Sequence, residues 1–271
     1  MKRIVLFLAF IFPSVPASYA GTDQNTIDFL NKLNSHYYCL MREGIRDLQV
    51  RIKCSFFDSY LKKCAAKYGP NDKRVQELEK IQFVFSYAGK DELSFDANSF
   101  EPSGDKDFDA IVEKMIGVVK GAFQQNIYPW RANVLEPVFG PDDFTKFNLL
   151  VKKKDDGYII YSTGNEPVSE YVDNEWKIYD VEASDKAAIQ SCKLQYADNP
   201  KGMILSEATS EIPQASTEIN TKMEYQSVDG FMMPKRMLVH MKKNGTDGVT
   251  NLDVVFEFVD YKIDKGQVKT K

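Results

Sequence analysis

The sequence predicts an α+β fold in which helices cover one face of a strongly curved, antiparallel β-sheet. Three observations lead to this prediction. The composition, with 43% hydrophobic and 27% charged residues in a chain of 271, is that of a globular protein. The longest stretches of helical apolar spacing lie in the first half of the chain. The second half instead alternates apolar and polar residues between tight turns, which is typical of an antiparallel meander.

The N-terminus has the three parts of a secretory signal. Residues 2–3 are basic, residues 4–12 are apolar, and residues 18–20 form a small-x-small cleavage site. The alternative is an N-terminal membrane anchor, but the apolar run is shorter than the ~20 residues that a spanning helix needs. We therefore predict that residues 1–20 are removed and that residues 21–271 form one domain in the periplasm.

The mature chain is predicted to begin with a helix, because apolar residues recur at spacings of three and four from Ile27 to Leu40. Alternation then predicts a strand over residues 48–56. Residues 58–80 have a helical pattern that Gly69-Pro70 interrupts, so two helical pieces are expected there. The order helix, strand, helix pair places these helices where they can cover a sheet.

Two further strands are predicted over residues 81–87 and 93–95, followed by the strongest helix of the chain. This helix, predicted from about Asp105 to Asn126, has a wide apolar stripe from Phe108 to Phe123 and must therefore lie on an apolar surface. Residues 128–141 contain three prolines, which predicts an irregular connection.

The remainder is predicted to form antiparallel strands. Turn residues such as Asp155-Asp156-Gly157 separate them. The predicted strands are Phe147–Val151, Tyr158–Tyr161, Val168–Val172, Trp176–Val181, Ile189–Tyr196, Met203–Thr209, Lys222–Val228, Lys235–Met241 and Leu252–Tyr261.

The four cysteines have no CxxC pair and no nearby histidine at metal-ligand spacing, which argues against zinc and thioredoxin-like chemistry. In an exported protein an even number of cysteines indicates disulfides. We predict a bond between Cys54 and Cys64, because the short separation suits a strand that turns into a helix. Free buried thiols are the alternative.

No catalytic motif is present. The chain has two histidines and lacks GxSxG, SxxK, HExxH and glycine-rich phosphate-loop patterns. Neighbouring aspartates sit at predicted turns and helix starts, where aspartate is favoured for local reasons. With an isoelectric point of about 5.4, the run Lys152–Lys154 indicates a solvated face and no nucleic-acid partner. We expect a protein that is not an enzyme and needs no cofactor and no metal.

The C-terminal segment contains the motif Tyr225-x-x-Val228-Asp229-Gly230-x-x-x-Pro234-Lys235, followed by an alternating strand and then Phe256-x-Phe258-x-Asp260-Tyr261-Lys262-Ile263. This segment resembles the C-terminal hairpins of the lipoprotein-carrier (LolA/LolB-like) superfamily of outer-membrane lipoprotein-sorting proteins. The resemblance implies an incomplete antiparallel β-barrel capped by helices, with an apolar cavity that holds lipid acyl chains. The chain departs from the carriers in its helix-rich stretch over residues 58–80 and in lacking their arginine-proline strand segment.

The predicted ligand-binding wall consists of apolar residues on elements that should face each other. A ligand cavity and a packed core give the same pattern, so both remain open. We expect a monomeric carrier of a lipid or acylated protein. The alternative is an envelope scaffold or stress-sensing module that binds a membrane-protein partner. The candidate residues are Phe83, Phe85, Met115, Val119, Phe123, Trp130, Phe147, Leu149, Met237, Val239, Phe256 and Phe258.

Overall fold

The structure is a computed structural model. It describes residues 22–88, 93–98, 100–163, 167–184, 189–245 and 248–265. The predicted signal segment and its cleavage site lie outside these residues. No helix in the described part of the chain has the length and apolar character needed to cross a membrane.

The described residues contain five α-helices. They are α1 (Gln24–Ser35), α2 (Ser55–Tyr68), α3 (Lys73–Lys80), α4 (Lys106–Trp130) and α5 (Pro141–Lys146). A π-helical turn, Arg131–Leu135, continues α4, and a 3-10 turn spans Pro213–Ala215.

Aspartate side chains cap the N-termini of three of these helices. Asp23, Asp72 and Asp105 each accept a hydrogen bond from a backbone N–H of the first turn of α1, α3 and α4, respectively. This satisfies N–H groups that have no partner inside a helix. The predicted break between α2 and α3 is confirmed. Helix α2 ends at Tyr68, and its C-cap is Gly69, whose φ of +92° favours glycine.

Twelve strands form one antiparallel sheet. They are β1 (Ile45–Cys54), β2 (Phe83–Ala88), β3 (Leu93–Ala97), β4 (Asn148–Lys154), β5 (Gly157–Thr163), β6 (Val168–Asp173), β7 (Ile178–Ser184), β8 (Ile189–Ala197), β9 (Ile204–Ile212), β10 (Thr217–Val228), β11 (Phe231–Gly245) and β12 (Gly248–Lys265).

The strand order is β3-β2-β1-β12-β11-β10-β9-β8-β7-β6-β5-β4. Because β3 and β4 are the two edges and do not pair with each other, the sheet is curled but open. The predicted α+β class, with helices on one face of an unclosed antiparallel sheet, is confirmed. The long β11–β12 hairpin joins the N-terminal strands to the remainder of the meander.

The register places the apolar residues of the sheet on one face. Phe256 of β12 lies between Cys54 of β1 and Met237 of β11, and Val254 lies opposite Val239. Since side chains alternate between the two faces of a strand, the neighbouring positions are on the other face. This apolar face is the one on which α4 packs.

One turn depends on a glycine. Gly157 begins β5 with a φ of +151°, and a Cβ atom added there would lie 2.0 Å from the carbonyl oxygen of Val172 in β6. Any side chain would therefore force the two strands apart.

The predicted irregular connection over residues 128–141 is wrong in its first part. Helix α4 continues through Pro129 to Trp130, and the π-helical turn follows directly. Burial outweighs the proline here, since Trp130, Val134 and Leu135 are each at most 1% exposed. The backbone N–H of Leu40 also donates to the carbonyl oxygen of Val134, which anchors the turn to the chain after α1.

The predicted strand over residues 48–56 lies closer to the N-terminus than expected: β1 begins at Ile45 and ends at Cys54, because Ser55 begins α2. The Ser55 hydroxyl accepts a hydrogen bond from the backbone N–H of Val255, where β12 loses its partner β1.

The predicted disulfide between Cys54 and Cys64 is wrong, because all four cysteines are free thiols. Cys54 ends β1, and the residues up to Cys64 are all helical. Nine residues of α-helix rise by about 13 Å, which exceeds the roughly 7 Å limit between disulfide-linked Cα atoms. Because the residues between them are helical, the two cysteines lie too far apart to form a disulfide despite their short separation in sequence.

Candidate hydrophobic-ligand site

The wide apolar stripe of α4 divides into a covered part and an open part. Phe108, Val112, Val119 and Phe123 are at most 4% exposed and pack on the apolar face of the sheet. Along the flank of this buried row lie Ile111, Met115, Val118 and Ala122, which share a face because they are three or four residues apart. The stripe is therefore wider than the surface that the sheet covers.

Most of the predicted ligand-binding residues, on α4 and on the sheet, are buried. Ten of them are at most 7% exposed, and these are Phe83, Phe85, Val119, Phe123, Trp130, Leu149, Met237, Val239, Phe256 and Phe258. Met115 and Phe147 are partly exposed.

Around Phe123 the covered part is a filled aromatic cluster. The centroid of its ring lies 4.0 Å from that of Phe95, 5.3 Å from that of Phe256, 5.6 Å from that of Phe85 and 6.0 Å from that of Phe258. These are the separations of rings in direct contact. The rings from α4, β2, β3 and β12 thus occupy the space beneath the middle of the helix.

Two predicted residues, Phe147 and Leu149, lie away from this cluster. Leu149 is in β4, where its backbone N–H donates to the hydroxyl of Thr22, and the same hydroxyl donates to the carbonyl oxygen of Phe147. Trp130, at the end of α4, adjoins the cluster with its ring centroid 6.3 Å from that of Phe85, and its indole N–H has no hydrogen-bond partner among the described residues. The predicted residues therefore do not all lie around Phe123.

An open apolar groove lies beside the filled cluster. Two exposed side chains face each other across it, Val118 of α4, which is 47% exposed, and Leu252 of β12, which is 38% exposed. The other lining residues are Cys54, Phe56, Val119, Ala122, Val254 and Phe256.

The end of β1 creates this groove. Because β1 stops at Cys54 and the chain turns into α2, residues 248–255 of β12 have no strand beside them on that side. The β11–β12 hairpin thus projects past β1, and α4 passes above it. The groove is the gap between the helix, the start of α2 and the projecting hairpin.

The lining of the groove carries no charged or hydroxyl side chain. Cys54 is the single residue there with an ionisable group, and burial raises the pKa of its thiol. It therefore lines the groove as a neutral, weakly polar group. The empty volume, including space open to solvent, is about 280 Å³. The volume to compare with closed cavities is about 40 Å³, far below the roughly 300–1,000 Å³ of small-molecule pockets, so the groove is shallow and open to solvent.

The ligand-binding residues predicted from the sequence include Val119 and Phe256 of the groove and the adjacent Met115. They do not include Val118, Leu252 and Phe56. A signal for Val118 was present, since the apolar stripe of α4 is wider than a helix on a single sheet needs. No local pattern in the sequence shows that β1 ends opposite Phe256 and leaves the first residues of β12 without a neighbouring strand on that side. This long-range register exposes Leu252.

Comparisons with known proteins add no functional assignment. No protein-family model matches this chain, and no curated protein matches it. Among solved structures, the chain is similar to a porin-like protein from Bacteroides uniformis. The match covers 81% of this chain and 98% of that chain, at 7% sequence identity and a TM-score of 0.24. Such a score carries no argument, so the resemblance to lipoprotein carriers stays a prediction.

Proposed function

We propose that this protein binds an apolar chain, such as the acyl tail of a lipid or lipoprotein, in the groove between α4 and β12. It would act as a carrier outside the cytoplasm, in agreement with the predicted export signal. The observation that carries this proposal is the pair of exposed apolar surfaces, Val118 and Leu252, that face each other without a polar group between them.

A single acyl chain matches the length and apolar character of one flank of α4, of which Val118 and Ala122 line the groove. From Ile111 to Ala122 the open apolar flank of α4 is about 16 Å long at 1.5 Å per residue. One leaflet of a bilayer has a hydrocarbon thickness of about 15 Å, half of the whole core. Burial of apolar surface contributes about 25 cal/mol per Å², so such a chain gains free energy without any directional contact.

The covered part of α4 offers no comparable space. A ligand beneath Phe123 would have to displace rings that are already in contact, and close-packed interiors resist even small additions. The groove accepts a chain without such displacement. Partly exposed Met115, at the side of the groove, has an unbranched and adaptable side chain suited to chains of different shape.

A fluorescent fatty acid tests the proposal. We expect saturable binding, which Val118→Asn and Leu252→Asn should each weaken roughly tenfold, because an amide facing the chain loses its water. Both side chains are half exposed, so the variants should remain folded. Val249→Asn is the matched control, since Val249 is 57% exposed and its odd-numbered position in β12 places it on the other face. Equal affinity in all three variants, or no binding by the unmutated protein, would reject the groove as the site.

A second candidate function is an envelope scaffold that binds a segment of a membrane protein. The edge of β12 over residues 248–254 has no strand beside it in the described part of the chain, which favours this function, since an extended peptide can add a strand there. Replacement of Asp253 in this edge by proline should abolish binding of a peptide and leave fatty-acid affinity within twofold, because proline removes one N–H from the edge. Specific capture of an extended peptide together with no fatty-acid binding would favour the scaffold.

A further inference from the structure

Glu170 is a buried acid on the apolar face of the sheet. It lies in β6, opposite Ile160 of β5 and Val181 of β7, in phase with Val168 and Val172 of its own strand. Its Oε2 atom is buried and has no hydrogen-bond partner among the residues that the structure describes. Since an unpartnered buried carboxyl oxygen costs free energy, such a group in a folded protein calls for an explanation.

Three tyrosines from different elements lie within range of this carboxyl group's charge. They are Tyr37 after α1, Tyr128 of α4 and Tyr196 of β8; burial is the largest cause of the raised pKa of each phenol, and a negative charge on Glu170 raises it further. The rings of Tyr37 and Tyr196 contact edge to face, with centroids 5.1 Å apart. Glu170 therefore has aromatic neighbours on three different elements.

Two of these rings are held by hydrogen bonds that do not involve Glu170. The Tyr37 hydroxyl donates to the carbonyl oxygen of Trp176 and accepts from the backbone N–H of Ile178. The Tyr196 hydroxyl donates to the side-chain oxygen of Asn133. The rings are thus fixed in place and leave Oε2 without a donor.

Open space borders the Glu170 side chain. Tyr128 is 40% exposed, and Glu170 and Tyr196 each retain part of their accessible surface. A side chain that is surrounded by protein and yet retains accessible surface borders a recess, since close-packed atoms would cover it.

The charges around the recess are acidic. Asp143 of α5 is near enough to raise the pKa of Glu170 further, and burial is the larger cause of a pKa of about 8. No lysine or arginine in the described part of the chain forms an ion pair with Glu170. Arg131, which acts on Tyr128, is itself paired with Glu136 at 3.1 Å.

We infer that the recess around Glu170 binds an organic ammonium group, with the cation against the tyrosine rings and its charge paired with the carboxylate. Aromatic rings attract cations through their faces, and a carboxylate adds a charge-assisted contact. A metal ion fits less well, because the described residues contain no cluster of three or more His, Cys, Asp or Glu side chains suited to one. This inference does not rest on the proposed acyl-chain groove.

Binding should release a proton. Below pH 8 the free carboxyl group is largely protonated, and a bound cation favours the carboxylate. Tyr37, Tyr128 and Tyr196 have pKa values raised above their ordinary 10, so they stay neutral in this range. The affinity should therefore rise about tenfold per pH unit up to pH 8 and then level off.

Calorimetric titration with choline, beside its uncharged isostere 3,3-dimethylbutan-1-ol, tests the inference on the full chain. We expect choline to bind at least tenfold more tightly at pH 8.5 than at pH 6.5, and the alcohol to bind at least tenfold more weakly than choline at pH 8.5. Glu170→Gln should remove choline binding and its pH dependence. Glu175→Gln, in the turn between β6 and β7, is the control and should change neither.

Tyr128→Leu provides a second variant that should remain folded, because Tyr128 is 40% exposed. It should weaken choline binding at least threefold through loss of the ring. Unchanged choline affinity in both Glu170→Gln and Tyr128→Leu, or no detectable heat with 50 mM choline, would overturn the inference. Fatty-acid affinity should be unchanged in these variants, so failure of one proposal is distinguishable from failure of the other.

Discussion

Val118 and Val119 are adjacent in α4 and have opposite environments, since Val118 is 47% exposed and Val119 is 1% exposed. Val119→Asn buries an amide and loses packing, so the free energy of unfolding should fall by about 3 kcal/mol or more. Val118→Asn should change it by less than about 1 kcal/mol. Urea denaturation of both variants measures the difference, and equal losses would show that the flank of α4 is covered.

Glu170 makes the stability of the protein depend on pH. Its pKa is about 8 when folded and near the ordinary 4.5 when unfolded, so the folded state holds the extra proton between these values. Stability from this group is full below pH 4.5 and is lost as the pH rises to 8, by ~1.4 kcal/mol per unit at most. Glu170→Gln should therefore gain stability over the unmutated protein from pH 5 to 8. If the free energy of unfolding depended on pH in the same way in both proteins, the raised pKa of Glu170 would be contradicted.

The cysteines should all be reduced in the folded protein. Because α2 separates Cys54 from Cys64, neither can reach the other without unfolding. After denaturation without reductant, we expect four alkylated cysteines by mass spectrometry. A mass two hydrogens lower with two unlabelled cysteines would show a disulfide.

At the scale of elements, the end of α4 depends on an asparagine. The Asn133 side chain donates to the carbonyl oxygen of Pro129 at 2.8 Å and accepts from the Tyr196 hydroxyl at 2.9 Å. Asn133→Ala leaves both partners without this contact in a buried place. It should cost about 2–3 kcal/mol of stability, measured by thermal or urea unfolding. A loss below 0.5 kcal/mol would show that the π-helical turn does not need this link.

Periodicity was sufficient to predict most elements. Alternation predicted β2 and the strands of the meander, and the break at Gly69 separated α2 from α3 as expected. The extension of α4 through Pro129 could not be read from the chain, because local proline preference and burial of Trp130 oppose each other and tertiary packing decides.

The residues of the candidate site were harder to predict from the sequence than the helices and strands. Apolar residues on facing elements were identified, but the division of the α4 stripe depends on where β1 ends beside β12. That register involves residues some two hundred positions apart, which no local pattern encodes. Glu170 gave a usable signal, because it stands in phase with Val168 and Val172 at a position that alternation assigns to the interior.

For the whole molecule, the sheet order brings the two ends of the described chain together. Strand β12, the last, pairs with β1, the first, and the strands between them in sequence extend to either side. The β11–β12 hairpin is therefore central to the sheet along most of its length and unsupported at its tip. The apolar groove is a consequence of this topology, because α4 spans the junction where β1 ends.

Photocrosslinking with a diazirine-bearing fatty acid tests the acyl-chain groove most directly, because it reports the residues that touch the ligand. After irradiation, digestion and mass spectrometry, we expect labelled peptides from residues 111–122 of α4 and residues 249–256 of β12. Val118→Asn should reduce this labelling, and Val249→Asn should not. Labelling confined to other segments, or none above that of a protein of unrelated fold, would contradict the assignment of this groove as the binding site.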